Sequence, residues 1–284
     1  MHLCTYFLYG GSICKILTKK FFGSYFKKRV VRHIFRYIAD LKIMTEKIID
    51  AIVLKSQDFK DNDKIVYLFS PAEGKLSAVL KGVKKASAKL KFAGEPFCFA
   101  EYTCVKRGDM YTVTNAYQKE SFFELRQDIT TFYCGVSALE MVSALAVEGD
   151  SNPQLFVSLV KTLELLVQGV SPKMVLAHFA LTVLDNFGQK PCFEKCVQCG
   201  EKVSDAKFCF EDGGVLCKNC DSDYSVSLDE GVRKVLLNLC ALGHEKLSTY
   251  KIGDVLADKT LYFLNDLFAK NFKKINSLNQ LLQL

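Results

Sequence analysis

The sequence predicts an α+β protein, in which a small five-stranded β-barrel precedes an α-helical domain with an inserted cysteine-rich ribbon. Three observations support this prediction. Short β-branched runs separated by turn residues fill positions 44–124. Apolar residues at helical spacing fill most of 125–284, and two Cys-x-x-Cys pairs interrupt that half. A chain of 284 residues is long enough for two domains.

The barrel is predicted from five apolar runs, each bounded by turn residues. The runs are 48–54, 64–69, 75–81, 97–105 and 110–117. Five short strands within about eighty residues match the size of an OB-fold. An SH3-like barrel has a similar strand count, and counting alone does not separate the two.

The helical half is predicted from periodicity and from start signals. Asn152-Pro153 and Ser171-Pro172 each place a polar N-cap before a proline at the first helical position. Further on, the run Ser-Leu-Asp-Glu at 227–230 has the spacing of a capping box, with serine as the cap and glutamate three residues later. Periodic apolar residues predict the other helices at 129–142, 255–268 and 275–282.

The two Cys-x-x-Cys pairs predict one structural zinc ion. The expected ligands are Cys196, Cys199, Cys217 and Cys220, and 17 residues separate the pairs. Four thiolates complete the tetrahedral shell of Zn²⁺ and leave no position for a reacting water. The ion is therefore expected to fold a ribbon at about 192–224 and to do no chemistry. Cys192 and Cys209 lie outside the pairs and are expected to pack as small apolar residues.

Residues 1–43 form a basic extension with nine Lys/Arg and one acidic residue. A targeting peptide, a basic docking arm and translation from an upstream start all fit this composition. The last is favoured, with Met44 as the true start, because the strand pattern opens directly after it. The net charge of +7 belongs to this extension, since the remaining 241 residues carry −1. Nucleic-acid binding by the main body must therefore rest on a local patch.

Such a patch exists at 75–91, which holds six lysines and no acidic residue. Clustered ammonium groups neutralise phosphates and release counterions. The candidate DNA-binding residues are Lys75, Lys81, Lys84, Lys85, Lys89 and Lys91. A solvated lysine-rich loop is the alternative, and charge alone does not decide between them. Five aromatic residues offer stacking faces but are expected inside the barrel: Tyr67, Phe69, Phe99, Tyr102 and Tyr111.

Composition and motifs argue against several other classes. No secretory signal accompanies the twelve cysteines, which indicates a reducing cytoplasm. No apolar run approaches the ~18 residues that span a bilayer, so no membrane is expected as a partner. A GxxxxGK[ST] phosphate loop is absent, and the four histidines form no recognisable nucleophile–base arrangement. The sequence therefore predicts that the protein is not an enzyme.

Several motifs in this order resemble the RecO family of bacterial recombination and repair mediators. They are the segments 52–55, 63–66, 81–85, 92–97 and the ribbon 196–220, with Gly213-Gly214 before its second cysteine pair. The likeness covers about residues 44–284. Residues 1–43 have no counterpart in the family pattern.

The resemblance implies a function that composition does not. RecO-like proteins bind single- and double-stranded DNA, anneal complementary strands, pair with RecR and help load RecA onto strands coated by SSB, whose acidic C-terminal tail they contact. It implies DNA contacts on the barrel, an SSB-tail pocket in the helical half and a cytoplasmic, nucleoid-associated protein. Three alternatives remain: a non-enzymatic zinc-ribbon adaptor, an RNA-binding OB protein and, most distant, an enzyme with catalytic zinc.

Overall fold

The computed structural model describes residues 46–107, 110–203 and 206–284. The basic extension 1–43 and the expected start at Met44 lie outside the described residues. No helix in the described ranges is both long and apolar enough to cross a membrane.

The N-terminal half is a closed five-stranded barrel. Its strands are β1 (Glu46–Phe59), β2 (Asp63–Ser70), β3 (Gly74–Leu80), β4 (Phe99–Arg107) and β5 (Met110–Glu120). They are ordered β1-β2-β3-β5-β4, and the barrel closes through a parallel β3–β5 pair while the other neighbours are antiparallel. This OB-like barrel confirms the predicted fold of the first half.

The two faces of the barrel strands pack against different cores. Alternate residues such as Val53, Val66 and Leu68 fill the barrel interior. The outward face of β1 and β2 carries Ile52 and Phe69, which belong to the helical core. Because this outer face is covered by helices rather than by water, its residues are apolar too. The sequences of these strands are therefore continuous apolar runs without alternation.

This arrangement corrects the expectation that the barrel aromatics lie inside the barrel. It is right for Tyr102, which is fully buried and donates a hydrogen bond to the Ala93 carbonyl at 3.1 Å. It is wrong for Phe69 and Phe99, whose ring centroids lie 6.0 and 5.5 Å from that of Phe156 in the helical half. Sequence alternation alone does not show which of two buried faces a side chain occupies.

In its described residues, the second half contains six α-helices with the ribbon between the third and fourth. They are α1 (Ile129–Leu145), α2 (Pro153–Val167), α3 (Pro172–Asn186), α4 (Glu230–Ala241), α5 (Asp254–Asn271) and α6 (Asn276–Leu281). The ribbon strands are β6 (Lys207–Cys209), β7 (Gly214–Leu216) and β8 (Ser225–Ser227), in the order β7-β6-β8. The predicted succession of barrel, helices and inserted ribbon is therefore confirmed.

Helix start signals are only partly as expected. Asn152 caps α2 by accepting from the Leu155 amide at 2.9 Å, whereas Ser171 precedes α3 without a side-chain cap. The predicted capping box at α4 is wrong, because the cap is Asp229, which accepts from the Gly231 and Val232 amides. The expected serine cap lies in β8 instead.

Candidate metal centre and nucleic-acid interface

The structure brings the four ribbon cysteines together. Their Sγ atoms all lie within 4.8 Å of one another, and those of Cys199 and Cys217 are 3.6 Å apart. Ligands of a tetrahedral zinc at a Zn–S distance of about 2.3 Å would be about 3.8 Å apart. The four thiols therefore fit a single ion with movements of less than about 1 Å.

Each Cys-x-x-Cys pair sits on a tight turn. In the first, the Gly200 amide donates to the Cys196 carbonyl at 2.8 Å, and Gly200 has a φ of +77° that a side chain would disfavour. In the second, Cys217 directly follows β7, and the Cys220 amide donates to the Cys217 carbonyl at 3.2 Å. Both turns direct two thiols toward the same point.

Backbone amides around the cluster favour thiolate at one position. Burial opposes ionisation of Cys196, but hydrogen bonds from the backbone of Cys199, Cys217 and Gln198 outweigh it and lower its pKa to about 6. A hydrogen bond with the Cys217 thiol, followed by burial, raises the pKa of Cys220 to about 12. Thiolates are the form that binds metal, so the turns pre-arrange a site whose remaining protons a cation would displace.

The ribbon is fastened to the helices by aromatic rings. Phe208 on β6 is fully buried, with its ring centroid 5.6 Å from Phe193, 5.3 Å from Phe210 and 4.9 Å from Phe263 of α5. Arg233 of α4 donates to the Phe193 carbonyl at 3.0 Å. The ribbon is therefore packed into the helical core and is not a free module.

The two other ribbon cysteines lie outside the metal cluster. The thiol of Cys192 donates to the Lys195 carbonyl at 3.4 Å, and that of buried Cys209 lies 3.7 Å from the Ser222 hydroxyl. Neither belongs to the group of four sulfur atoms that can share an ion.

Five of the six candidate lysines are exposed on the segment that follows β3: Lys81, Lys84, Lys85, Lys89 and Lys91. We call this segment, residues 81–91, the lysine loop. It is held against the β1–β2 turn, since the Gly82 amide donates to Asp63 at 2.7 Å and Lys84 pairs with Asp58 at 2.7 Å. The loop thus presents its cations from a fixed backbone.

Lys75 lies apart from the other five. It occupies the opposite end of β3, and its ammonium group donates to the Ser143 carbonyl of α1 at 2.8 Å. Burial is the main cause that lowers its pKa below the ordinary lysine value. Lys75 therefore belongs to the junction between barrel and helices.

The outer face of the barrel carries Lys55, which the sequence did not suggest, and Tyr67, for which the expected position inside the barrel is wrong. Tyr67 lies between two interior residues of β2, so its ring faces outward. Its cross-strand partner Lys55 is exposed, with its ammonium 4.5 Å from the ring centroid. A bulge between Val53 and Lys55 reverses the alternation. Without it Lys55 would point inward, and no sequence signal marks the bulge.

Comparisons with known proteins agree with this architecture. Models for the N-terminal and C-terminal regions of recombination protein O match residues 44–122 and 126–274. The protein named DNA repair protein RecO of Desulforamulus reducens is 31% identical over 212 residues, covering 73% of this chain and 82% of that protein. The proteins of the same name from Alkaliphilus metalliredigens and Syntrophomonas wolfei are 27% and 30% identical, covering 80% and 75% of this chain and 94% and 86% of their own lengths.

Proposed function

The chain belongs to the RecO family of DNA repair proteins, and from this premise we propose that it binds DNA strands and anneals them without forming or breaking covalent bonds. In this proposal it acts with RecR to help load RecA onto single-stranded DNA coated by SSB, whose acidic C-terminal tail it contacts. The protein is then a recombination mediator and not an enzyme.

The observation that carries the proposal is the basic and aromatic outer surface of the barrel. The lysine loop holds five exposed cations, and on the adjoining strands Lys55 lies over the outward ring of Tyr67. Ammonium groups bind phosphates whatever the sequence, and an aromatic face stacks on any base. Such a surface lowers the repulsion between two backbones, while Watson–Crick pairing supplies the sequence selection.

We further propose that the ion of the four-cysteine site is one structural Zn²⁺. Cys196, Cys199, Cys217 and Cys220 would hold it, and four thiolates leave no open position for a substrate or water. Bound there, zinc supplies folding energy and no catalysis. Metal content of the purified protein, measured by elemental analysis, tests this assignment: one equivalent of zinc supports it, and another metal or none contradicts it.

The test of DNA binding is a salt titration. Replacing Lys84, Lys85 and Lys89 with glutamine should lower the slope of log K against log salt for a fluorescent single strand by about 2, since each phosphate contact contributes about 0.7. The matched control replaces Lys161, Lys246 and Lys251, which are also exposed, with glutamine. Equal slopes for wild type and the lysine-loop variant would refute the site.

Two further measurements separate the alternatives. Annealing of SSB-coated complementary oligonucleotides should depend on the SSB tail, whereas annealing of naked strands should not. An RNA oligonucleotide should compete less well than DNA of the same sequence, and stronger competition by RNA would favour the RNA-binding alternative. Absence of annealing with retained binding to RecR would favour an adaptor.

A further inference from the structure

We propose a second phosphate-binding site on the helical half, formed by Lys273 and Lys274 in the connection between α5 and α6. This site lies beside Lys75 and continues the path of a single strand off the barrel. The inference rests on the proposed DNA binding and adds a contact region outside the lysine loop.

Hydrogen bonds to one turn of α1 bring the connection to the barrel. The Glu140 carboxylate accepts from the amides of Asn276 and Ser277 at 3.0 and 2.9 Å, which fixes the start of α6. Three residues later, the Ser143 carbonyl accepts from the Lys75 ammonium. Glu140 and Ser143 are less than one turn of α1 apart, so Lys75 and the start of α6 are both bound at this part of the helix.

Electrostatic effects place the cations close together. After burial, the charges of Lys55 and Lys273 both lower the pKa of Lys75, while that of Glu148 raises it. The charge of Glu148 thus opposes the combined effect of two nearby ammonium groups on Lys75. Lys273 and Lys274 are exposed, and in the described part of the chain no carboxylate forms an ion pair with either of them or with Lys55. Exposed ammonium groups without a carboxylate ion pair, as at Lys55, Lys273 and Lys274, are suited to a polyanion that enters from solvent.

A simpler role for lysines at this place is to complement the negative end of the α5 dipole. That role fits Lys270, which lies in the last turn of α5 with its ammonium 3.9 Å from the Phe210 ring centroid. It does not fit Lys273 and Lys274, which follow the end of the helix at Asn271. Their position next to the barrel then needs another explanation, and phosphate binding supplies one.

The distance between the two basic regions sets the size of the bound strand. Lys75 and Lys81 are six positions apart along an extended strand, which corresponds to about 20 Å. At about 3.4 Å per stacked nucleotide, roughly six nucleotides cover that distance. A strand that reaches both regions must therefore be longer than about six nucleotides, and Lys55 with Tyr67 lies between them.

The experiment compares Lys273→Gln/Lys274→Gln with the control Lys246→Gln/Lys251→Gln, which removes the same charge from exposed positions around the segment His244–Thr249. Affinities for fluorescent thymidine 20-mers and 6-mers are measured across a salt series. For the 20-mer, the first variant should lower the slope of log K against log salt by about 1.4. The affinity loss relative to wild type should therefore be about 25-fold larger at 0.1 M salt than at 1 M. Its preference for the 20-mer over the 6-mer should also shrink, whereas the control should match wild type.

An unchanged 20-mer slope, or an equal loss in the control, would overturn the second site. The lysine-loop variant is titrated in the same series to keep the two proposals apart. If it weakens binding while the Lys273/Lys274 variant does not, the second site is wrong and the proposed function stands. If neither variant changes the slope, both proposals fail. Thermal melting of each variant confirms that the fold is retained, which is expected because the replaced side chains are exposed.

Discussion

Replacing Phe208 with alanine should destabilise the ribbon and the helical domain together. The side chain is fully buried on β6, the central strand of the ribbon sheet, and contacts three other phenylalanine rings. One of those rings is Phe263 of α5, at 4.9 Å between centroids. The substitution therefore opens a cavity in the aromatic cluster that joins the ribbon to α5.

The expected loss is about 4 kcal/mol in the free energy of unfolding. Phenylalanine-to-alanine changes in cores cost about 3–5 kcal/mol, and the cost is greatest where the surroundings cannot collapse. Strands on both sides of β6 and the helix packed against it prevent such a collapse. A matched control is Phe123→Ala, since Phe123 is 59% exposed. That change should cost less than about 0.5 kcal/mol.

Urea denaturation followed by two probes tests the reasoning. Circular dichroism reports the helices, and a metal indicator reports release of the ion from the ribbon. Both should change at one midpoint, and that midpoint should fall for Phe208→Ala. A loss below about 1 kcal/mol, or metal release well before the helices unfold, would refute the shared core. DNA binding through the lysine loop of the remaining folded protein should be unchanged, because Phe208 lies away from the barrel's outer face.

Three other predictions concern stability. Gly74→Ala should lower the melting temperature and cost more than about 1 kcal/mol, because φ is +62° and a Cβ would lie 2.0 Å from a backbone carbonyl oxygen; an unchanged melting temperature would contradict this. Burial lowers the pKa of His178, and burial together with nearby cations lowers that of His244 to about 4. At His244 the unfolded chain then binds more protons between pH 6.5 and about 4, so stability should fall as the pH falls across this window, by up to about 1.4 kcal/mol per pH unit, and the lowered pKa of His178 acts in the same direction. His244→Gln should flatten that dependence in urea titrations at several pH values, and an identical pH profile would count against it. Asp229→Ala should lower the free energy of unfolding by about 1 kcal/mol through loss of the α4 cap, whereas Ser227→Ala should change it by less than about 0.5 kcal/mol. A larger loss for Ser227→Ala in chemical denaturation would instead support serine as the cap.

The order of the elements could be predicted because each leaves a local signal. The β-branched runs gave five strands, and the proline at the start of α2 together with its Asn152 cap gave a helix boundary that the structure confirms. The metal cluster could also be predicted, because Cys-x-x-Cys spacing defines a turn without any tertiary information. These features depend on residues within a few positions of one another.

Other features depend on partners far along the chain. Ser227 and Asp229 are both good caps, and only the pairing of Ser227 with Lys207 in the ribbon sheet decides for the aspartate. The outward direction of Lys55 follows from a bulge that is set by its pairing with β2. The separation of Lys75 from the lysine loop follows from its contact with α1, 68 residues away. A charge count treats Lys75 as one of six equivalent lysines.

Helix α5 connects the ribbon with the proposed DNA path. Its Phe263 packs in the aromatic cluster, and the Asn271 side chain at its end donates to the Phe210 carbonyl of the ribbon at 2.8 Å. Lys273 follows only two residues later. A closed four-thiolate site cannot act on DNA by itself, but a metal ion that orders the ribbon also fixes the end of α5. The ion would then affect DNA binding through the position of Lys273 and Lys274, while the lysine loop on the barrel stays independent of it.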